Sequence, residues 1–274
     1  MKREHGESAN PILSVNGYQM ILPQTDEGLS MELQITGTHE PLITQCMKDE
    51  LKAGMVVIDI GANIGYYALL EALIVGDHGL VYAIEPVARN FVYLNENIEL
   101  NQFRNIRVMP FAIGDRTAKN VPINITKKFN WCHMIDLEKA PPHLQEQFRN
   151  DTIRQDFVSQ YTLDTFAEYY DVLNIDFIRM DVEGYEVEIV KGMHHTMEHM
   201  KPGSKMLIEF HRLAFCIPGP ILETIQRIID HGFKPVRSFF IGDIHEIYGD
   251  DDWIKKYDLM EAPVWHCLFI KEES

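Results

Sequence analysis

Several short motifs that would assign a chemistry directly are missing from this sequence. Its four cysteines, Cys46, Cys132, Cys216 and Cys267, lie far apart and form no C-x-x-C pair. That removes the usual thiol knuckle for zinc and the usual redox spacing, and leaves free, mostly buried thiols in a reducing compartment as the expectation. There is no G-x-G-x-x-G dinucleotide turn and no G-K-[ST] phosphate loop. No uninterrupted apolar run approaches the roughly 20 residues of a membrane span. The opening MKREHGESANP has no apolar core behind its basic residues, so no signal peptide is expected and the expected location is the cytoplasm. Positive charge is scarce: 25 Lys and Arg against 41 Asp and Glu give a formal net charge of −16. Such a surface suits a polyanion poorly, which disfavours a nucleic-acid partner.

What is present is a rhythm. The chain of 274 residues has room for one large α/β domain or two small ones. VVIDI, LVYAIE, IRVMPFAI, DFIRMDV, KMLIEF and WHCLFIK read as strands. Helical spacing separates them at 66–75, 87–101, about 184–200 and 219–231. Strands alternating with helices imply right-handed βαβ units and a doubly wound, Rossmann-like, mostly parallel sheet. FKPVRSFF and VWHCLFIKE are expected to pair antiparallel at its edge, with a helical piece at Asp251–Tyr257 between them. Residues 1–36 read as an N-terminal extension with short antiparallel strands around Asn16-Gly17 and the turn at 26–28. Residues 37–274 read as the main domain, opening on a helix at Pro41–Leu51. The interval from about 115 to 159 breaks the rhythm with three prolines and mixed charge, and reads as an inserted loop or lid. There is no internal repeat.

One stretch stands out: VVIDIGANIGYY, Val56–Tyr67. An apolar strand ends in Asp59, and Gly61, Asn63 and Gly65 follow. In an open parallel sheet, ligands bind beyond the carboxyl ends of the strands. Glycines there allow a sharp turn and close backbone approach, and the next helix turns its N–H groups to the ligand. Glu85 ends the second strand about 20 residues on, where an acid can hold two ribose hydroxyls. Asp59 would repel the phosphates of NAD but suits the ammonium and sulfonium of S-adenosylmethionine. A glycine pair alone also serves a plain tight turn; Asp59, Asn63 and Glu85 in register favour the ligand.

These segments, followed in order by LNENIELN, FAIGD, TLDTF and DFIRMDVEGYEVEIVKG, resemble the FkbM-type methyltransferases. GTHEP at Gly37–Pro41 is similar to that family's pattern as well. The resemblance covers roughly residues 37–211, and D-V-E-G-x-E is its most specific element. It implies the class I methyltransferase architecture and methyl transfer from S-adenosylmethionine, usually to a hydroxyl oxygen of a sugar, glycan or natural product. It places Glu40, Asp59, Gly61, Asn63 and Gly65 around the donor, Glu85 on the ribose, and Phe111 and Ala112 beside the adenine. Arg179 departs from the lysine more usual at that place, and Asn130–Met134 matches no pattern.

Methyl transfer from a sulfonium is an in-line displacement in which positioning does much of the work, and a neutral alcohol benefits from a base or a metal. Asp181 and Glu183 follow the fourth strand, and Glu209 and His211 end the next, so all four are candidates for the reacting centre. His211 is the expected base because its ordinary pKa lies near 6.5, with Asp181 or Glu183 orienting it or sharing the role. These acids also suit helix capping, and a divalent metal on the same carboxylates is the secondary reading, with no metal ligand assigned. A turn of the N-P-P type, usual in enzymes that methylate base nitrogens, is replaced here by D-V-E-G. His195-Thr-Met-Glu-His199 fits H-x-x-E-H, but falls near the far end of its helix, away from the crevice. Phe129, Trp131, Phe239, Phe240 and Trp253 are aromatic candidates for stacking or for core. The alternatives carried forward are an RNA or tRNA methyltransferase and a non-catalytic adenosine-binding scaffold of the same fold. The acceptor and the oligomeric state are not readable from the sequence.

Overall fold

The computed structural model describes residues 10–134, 142–172, 174–211, 219–240, 243–246 and 264–273. The chain opens with a hairpin of β1 (Ile12–Val15) and β2 (Tyr18–Ile21). The next segment is a helix, α1 (Leu29–Thr36), where a strand was expected. Asp26 accounts for it. Its two carboxylate oxygens accept the backbone N–H groups of Gly28 and Ser30, each at 2.8 Å, and so satisfy donors that have no partner within a helix.

The expected alternation follows: α2 (Pro41–Glu50), β3 (Val56–Ile60), α3 (Tyr66–Val75), β4 (Leu80–Ile84), α4 (Ala88–Asn101) and β5 (Ile106–Met109). The third strand ends sooner than expected, at Met109 before Pro110. Ala112–Ile113 forms β6 in a different sheet. The interval expected to be a loop holds β7 (Ala118–Thr126), a 3₁₀ turn at Phe129–Trp131, α5 (Pro142–Asp151) and β8 (Thr152–Tyr161). These strands build a second sheet in the order β6-β8-β7. Residues such as Arg154 and Asp156 lie on its solvent side, so its composition is too polar to read as strand. Pro122 is tolerated because β7 is an edge.

Beyond them come α6 (Leu163–Tyr169), β9 (Phe177–Met180), α7 (Glu186–Lys191), α8 (His194–His199), β10 (Lys205–His211), α9 (Gly219–Asp230), β11 (Phe233–Phe240), β12 (Asp243–Glu246) and β13 (Val264–Lys271). The single helix expected over 184–200 is broken at Gly192. A Cβ there would stand 2.1 Å from the Gly114 carbonyl oxygen, so the chain gives up a turn to let two backbones touch. Asp251–Tyr257 and Trp253 lie outside the described residues.

The main sheet runs β12-β11-β13-β10-β9-β3-β4-β5. β10, β9, β3, β4 and β5 pair parallel, while β13 is antiparallel to both β10 and β11. This is the Rossmann-like sheet with its antiparallel strand. Each face carries a core. One holds Ile58, Met180 and Ile208 with residues of α6, α7, α8 and α9. The other holds Val57 and Leu207 with α3 and with Val15, Met20, Leu33 and Met47 from the first fifty residues. That cover explains why α3, YYALLEALIV, is apolar almost all round. Asn97 ties the hairpin down, accepting from the Ile21 N–H at 2.6 Å and donating to the Ile64 carbonyl at 2.9 Å. Among the described residues no helix is long and apolar enough to cross a membrane.

Candidate active site

From β3 the chain steps outward to β4 and β5 on one side, and β9 and β10 lie on the other. The ends of β3 and β9 are pressed together at this divide. Gly61 has φ +90°, and a Cβ on it would stand 1.9 Å from the Asp181 carbonyl oxygen. Contact and backbone angle both demand glycine. Asn63 is left-handed too, with φ 52°, and Gly65 caps the N-terminus of α3.

A cavity of about 620 Å³, including its open mouth, lies over this turn. Gly61, Asn63, Glu85 and Asn90 form one wall, and Asp181, Glu183 and Tyr185 another. Ala112 and Ile113 line it, as do Ile123, Phe129, Cys132 and Met134 from the second sheet and its turn. That turn is anchored from two sides: Asp26 accepts the Phe129 N–H at 3.0 Å, and Arg89 lies 3.8 Å over the Phe129 ring.

Glu85 accepts the backbone N–H of Asn63 on one oxygen and that of Val87 on the other, each at 2.8 Å. A carboxylate has about four lone-pair sites, so the two backbone donors leave room for a ligand hydroxyl. Burial pushes the Glu85 carboxyl up to about 7, against the pull of those two N–H groups.

Beneath the cavity, Arg179 reaches Asp59 at 3.1 Å and Asp181 at 2.7 Å, and lies 4.0 Å over the Tyr67 ring. Burial opposes its charge, but Asp59 and Asp181 hold Arg179 as a cation. Asp59 has no exposed surface, and burial raises its carboxyl even with Arg179 beside it. Burial would raise Asp181 too, yet Arg179 and then His211 bring it well below the usual carboxylate range.

His211 sits among acids. Its Nδ1 donates to Glu186 at 2.7 Å, and its Nε2 lies 3.2 Å from Glu183 and 3.9 Å from Glu209. Burial alone would depress the imidazole, but Glu183, Glu209 and Glu186 outweigh it and hold His211 well above its ordinary value. A second histidine, His266, stands opposite Glu209 in the β10–β13 register. Glu40 completes that group, accepting from the Tyr67 hydroxyl at 2.8 Å.

A family model described as a methyltransferase FkbM domain matches residues 59–235. The chain belongs to the FkbM methyltransferase family. A protein-L-isoaspartate O-methyltransferase from Methanothrix thermoacetophila is 32% identical over 68 residues, which is 25% of this chain. The match spans 31% of that relative's length. Among solved structures, a putative rRNA methylase from Clostridium thermocellum superposes with a TM-score of 0.51 at 11% identity, covering 85% of this chain and 95% of the other. Trm5b from Pyrococcus abyssi gives 0.50 at 15% identity, covering 98% of this chain and 58% of the other. At such identities the likeness is one of fold.

The FkbM chain brings only part of the expected set to the described cavity. Gly61, Asn63, Glu85, Ala112, Asp181 and Glu183 line it. Gly65 stands behind them at the start of α3. Phe111 points into the core, edge-on to Tyr161 with ring centroids 4.8 Å apart. Asp59 is off the cavity wall and paired with Arg179 at 3.1 Å. Glu40, Glu209 and His211 form the cluster behind Asp181. His211, expected as a base near its ordinary pKa, is clasped by carboxylates that hold it well above that value. Glu186 is missed by sequence reasoning although it ends the D-V-E-G-x-E element, and His266 carries no local signal. His195, Glu198 and His199 lie exposed on α8, which leads into the start of β10 at the opposite end of the sheet. Phe239 is core.

Proposed function

We propose that this FkbM-family chain transfers a methyl group from S-adenosylmethionine to a hydroxyl oxygen of a sugar, glycan or natural-product acceptor. The observation that carries this reading is that Glu85 and the Asp181–Glu183 pair face one another across a single cavity at the sheet's switch point. Glu85 fits the two ribose hydroxyls, and Ala112 leaves a flat place for the adenine. Asp181 takes over the part first given to Asp59, a carboxylate on the wall beside the donor's cationic groups. Glu183 then becomes the base. Burial holds its carboxyl above the ordinary value, against the pull of His211, which makes it a stronger proton acceptor than an exposed glutamate.

In the transfer, an acceptor oxygen lone pair forms the new C–O bond as the C–S bond breaks. The bonding electrons go to sulfur, leaving S-adenosylhomocysteine, and the hydroxyl proton passes to Glu183. His211, fixed by Glu186, keeps Glu183 turned toward the cavity. The acidic surface supports a small or neutral acceptor over RNA.

The test is calorimetric titration with S-adenosylhomocysteine, with NAD as control and Glu85→Ala beside the wild type. Binding of the first alone, weakened in the variant, is expected. NAD binding, or a titration indifferent to Glu85→Ala, would remove the donor site. Transfer of labelled methyl from S-adenosylmethionine is then followed on hydroxylated small molecules and on RNA, and labelled RNA would overturn the acceptor assignment. Glu183→Gln is expected to lower kcat about 10²–10⁴-fold with homocysteine-product affinity kept.

A further inference from the structure

We propose that Glu40, Glu209 and His266 form a binding site for a divalent cation. They come from the N-terminal end of α2, the end of β10 and the start of β13. His266 is only 8% exposed, and its Nε2 has no hydrogen-bond partner. That nitrogen is aimed between two carboxylates, 3.6 Å from Glu40 Oε1 and 3.5 Å from Glu209 Oε2. The three donor atoms lie within 4.8 Å of one another.

These separations are long for N–H···O bonds, whose usual span is about 2.7–3.2 Å. They fit two ligands on a shared ion: bonds of about 2.1 Å at tetrahedral angles set neighbouring donors about 3.4 Å apart. Glu40 turns its second oxygen to the Tyr67 hydroxyl at 2.8 Å. The second oxygen of Glu209 lies on the side of His211, 3.9 Å from its Nε2. Each carboxylate has one oxygen facing His266. Such outer partners commonly orient metal ligands.

The neighbouring trio of Asp181, Glu183 and His211 differs at the decisive atom. His211 already bonds Glu186 through Nδ1 and lies 3.2 Å from Glu183 through Nε2, so it has no free nitrogen to offer. Two oxygens and one imidazole suit Mn²⁺ or Zn²⁺ better than Mg²⁺. Three protein ligands leave further positions for water or substrate oxygen. Binding of the ion stands independently of the methyltransferase reading.

The test uses the full chain, stripped with chelator, titrated with Mn²⁺ and followed by electron paramagnetic resonance. One bound ion is expected, with a nitrogen coupling that changes on ¹⁵N-histidine labelling. His266→Gln and Glu40→Gln should each weaken Mn²⁺ at least about tenfold, while His199→Ala on the exposed α8 cluster leaves it unchanged. Circular dichroism and thermal melts of the same variants report whether they fold, and S-adenosylhomocysteine titration of the wild type keeps failure of the donor site separate. Absence of Mn²⁺ binding, a bound ion without nitrogen coupling, or a site lost in His199→Ala and kept in His266→Gln would overturn the proposal. If a variant fails to fold, the nitrogen coupling in the wild type together with its survival in His199→Ala decides.

Discussion

Arg179 Nη1 lies 3.1 Å from Asp59 Oδ1, with the arginine side chain 5% exposed and the aspartate fully enclosed. The two residues are register partners on β9 and β3, so this ion pair clamps the strands whose ends make the cavity floor. Arg179→Met leaves Asp59 buried without its cation, and a loss of about 3–5 kcal/mol is expected. Asp59→Asn keeps Arg179 on Asp181 and should cost about 1–2 kcal/mol. Urea denaturation of both gives the comparison; equal costs would mean that Asp181 is the partner that matters. Because Asp59 is off the cavity wall, Asp59→Asn should also keep S-adenosylhomocysteine affinity.

Gly61→Ala puts a methyl group into the Asp181 carbonyl and a side chain at φ +90°. Neither backbone can move without parting β3 from β9. A destabilisation of at least about 2 kcal/mol is expected from strain and overpacking, with cofactor binding lost as well. Thermal melts and product titration check it. An unchanged variant would mean that the two strand ends are further apart than they stand here.

Glu85 predicts a pH dependence with two signs. Its carboxyl is pushed up to about 7 in the folded chain, against about 4.3 when exposed. Between those values the folded state binds more protons, so the Glu85 share of stability falls as pH rises through that window. At the proposed donor site, ligand binding runs the other way, because an ionised Glu85 would accept ribose hydroxyls more strongly. Affinity for S-adenosylhomocysteine should therefore climb from pH 5.5 and level off above about pH 7, by at most about tenfold per unit. Glu85→Gln should flatten the curve. A wild-type profile that is flat over this range would assign the ribose to another group.

Glu71 is the one acid within α3, and neither carboxyl oxygen has a hydrogen-bond partner. Burial, with Asp59 adding to it, holds the group well above its ordinary value. Glu71→Leu removes a buried polar group without orphaning a partner, and a gain of about 1–2 kcal/mol is expected. The raised folded value means that wild-type stability falls with rising pH once an exposed glutamate would ionise, and the variant should show less of that fall. A loss of stability on substitution would make Glu71 a needed counter-charge to Arg179.

Much of this protein was legible in one dimension. Apolar runs and glycine stops marked the strands of the main sheet, because a strand buried on both faces is written as a continuous apolar run. The spacing of Gly61, Asn63 and Glu85 located one cavity wall, because a strand–turn–helix unit fixes those positions locally. The second sheet was hidden by its solvent face: β8, TIRQDFVSQY, looks like a charged loop until β7 pairs with it. Arg179 registered only as a change of residue type, since its carboxylates are 120 residues away at Asp59 and two away at Asp181.

Architecture and the place of the cavity could be read along the chain, for both follow from short-range periodicity and turn chemistry. The charges were settled by packing. His211 is held well above its ordinary pKa because strands and helix bring Glu183, Glu209 and Glu186 around it. His266 meets Glu209 and Glu40 because β13 folds back antiparallel onto β10 and the start of α2 lies against their ends. Protonation and ligation depend on the distance between groups in a poorly solvated interior, and that distance is not encoded in their spacing along the chain.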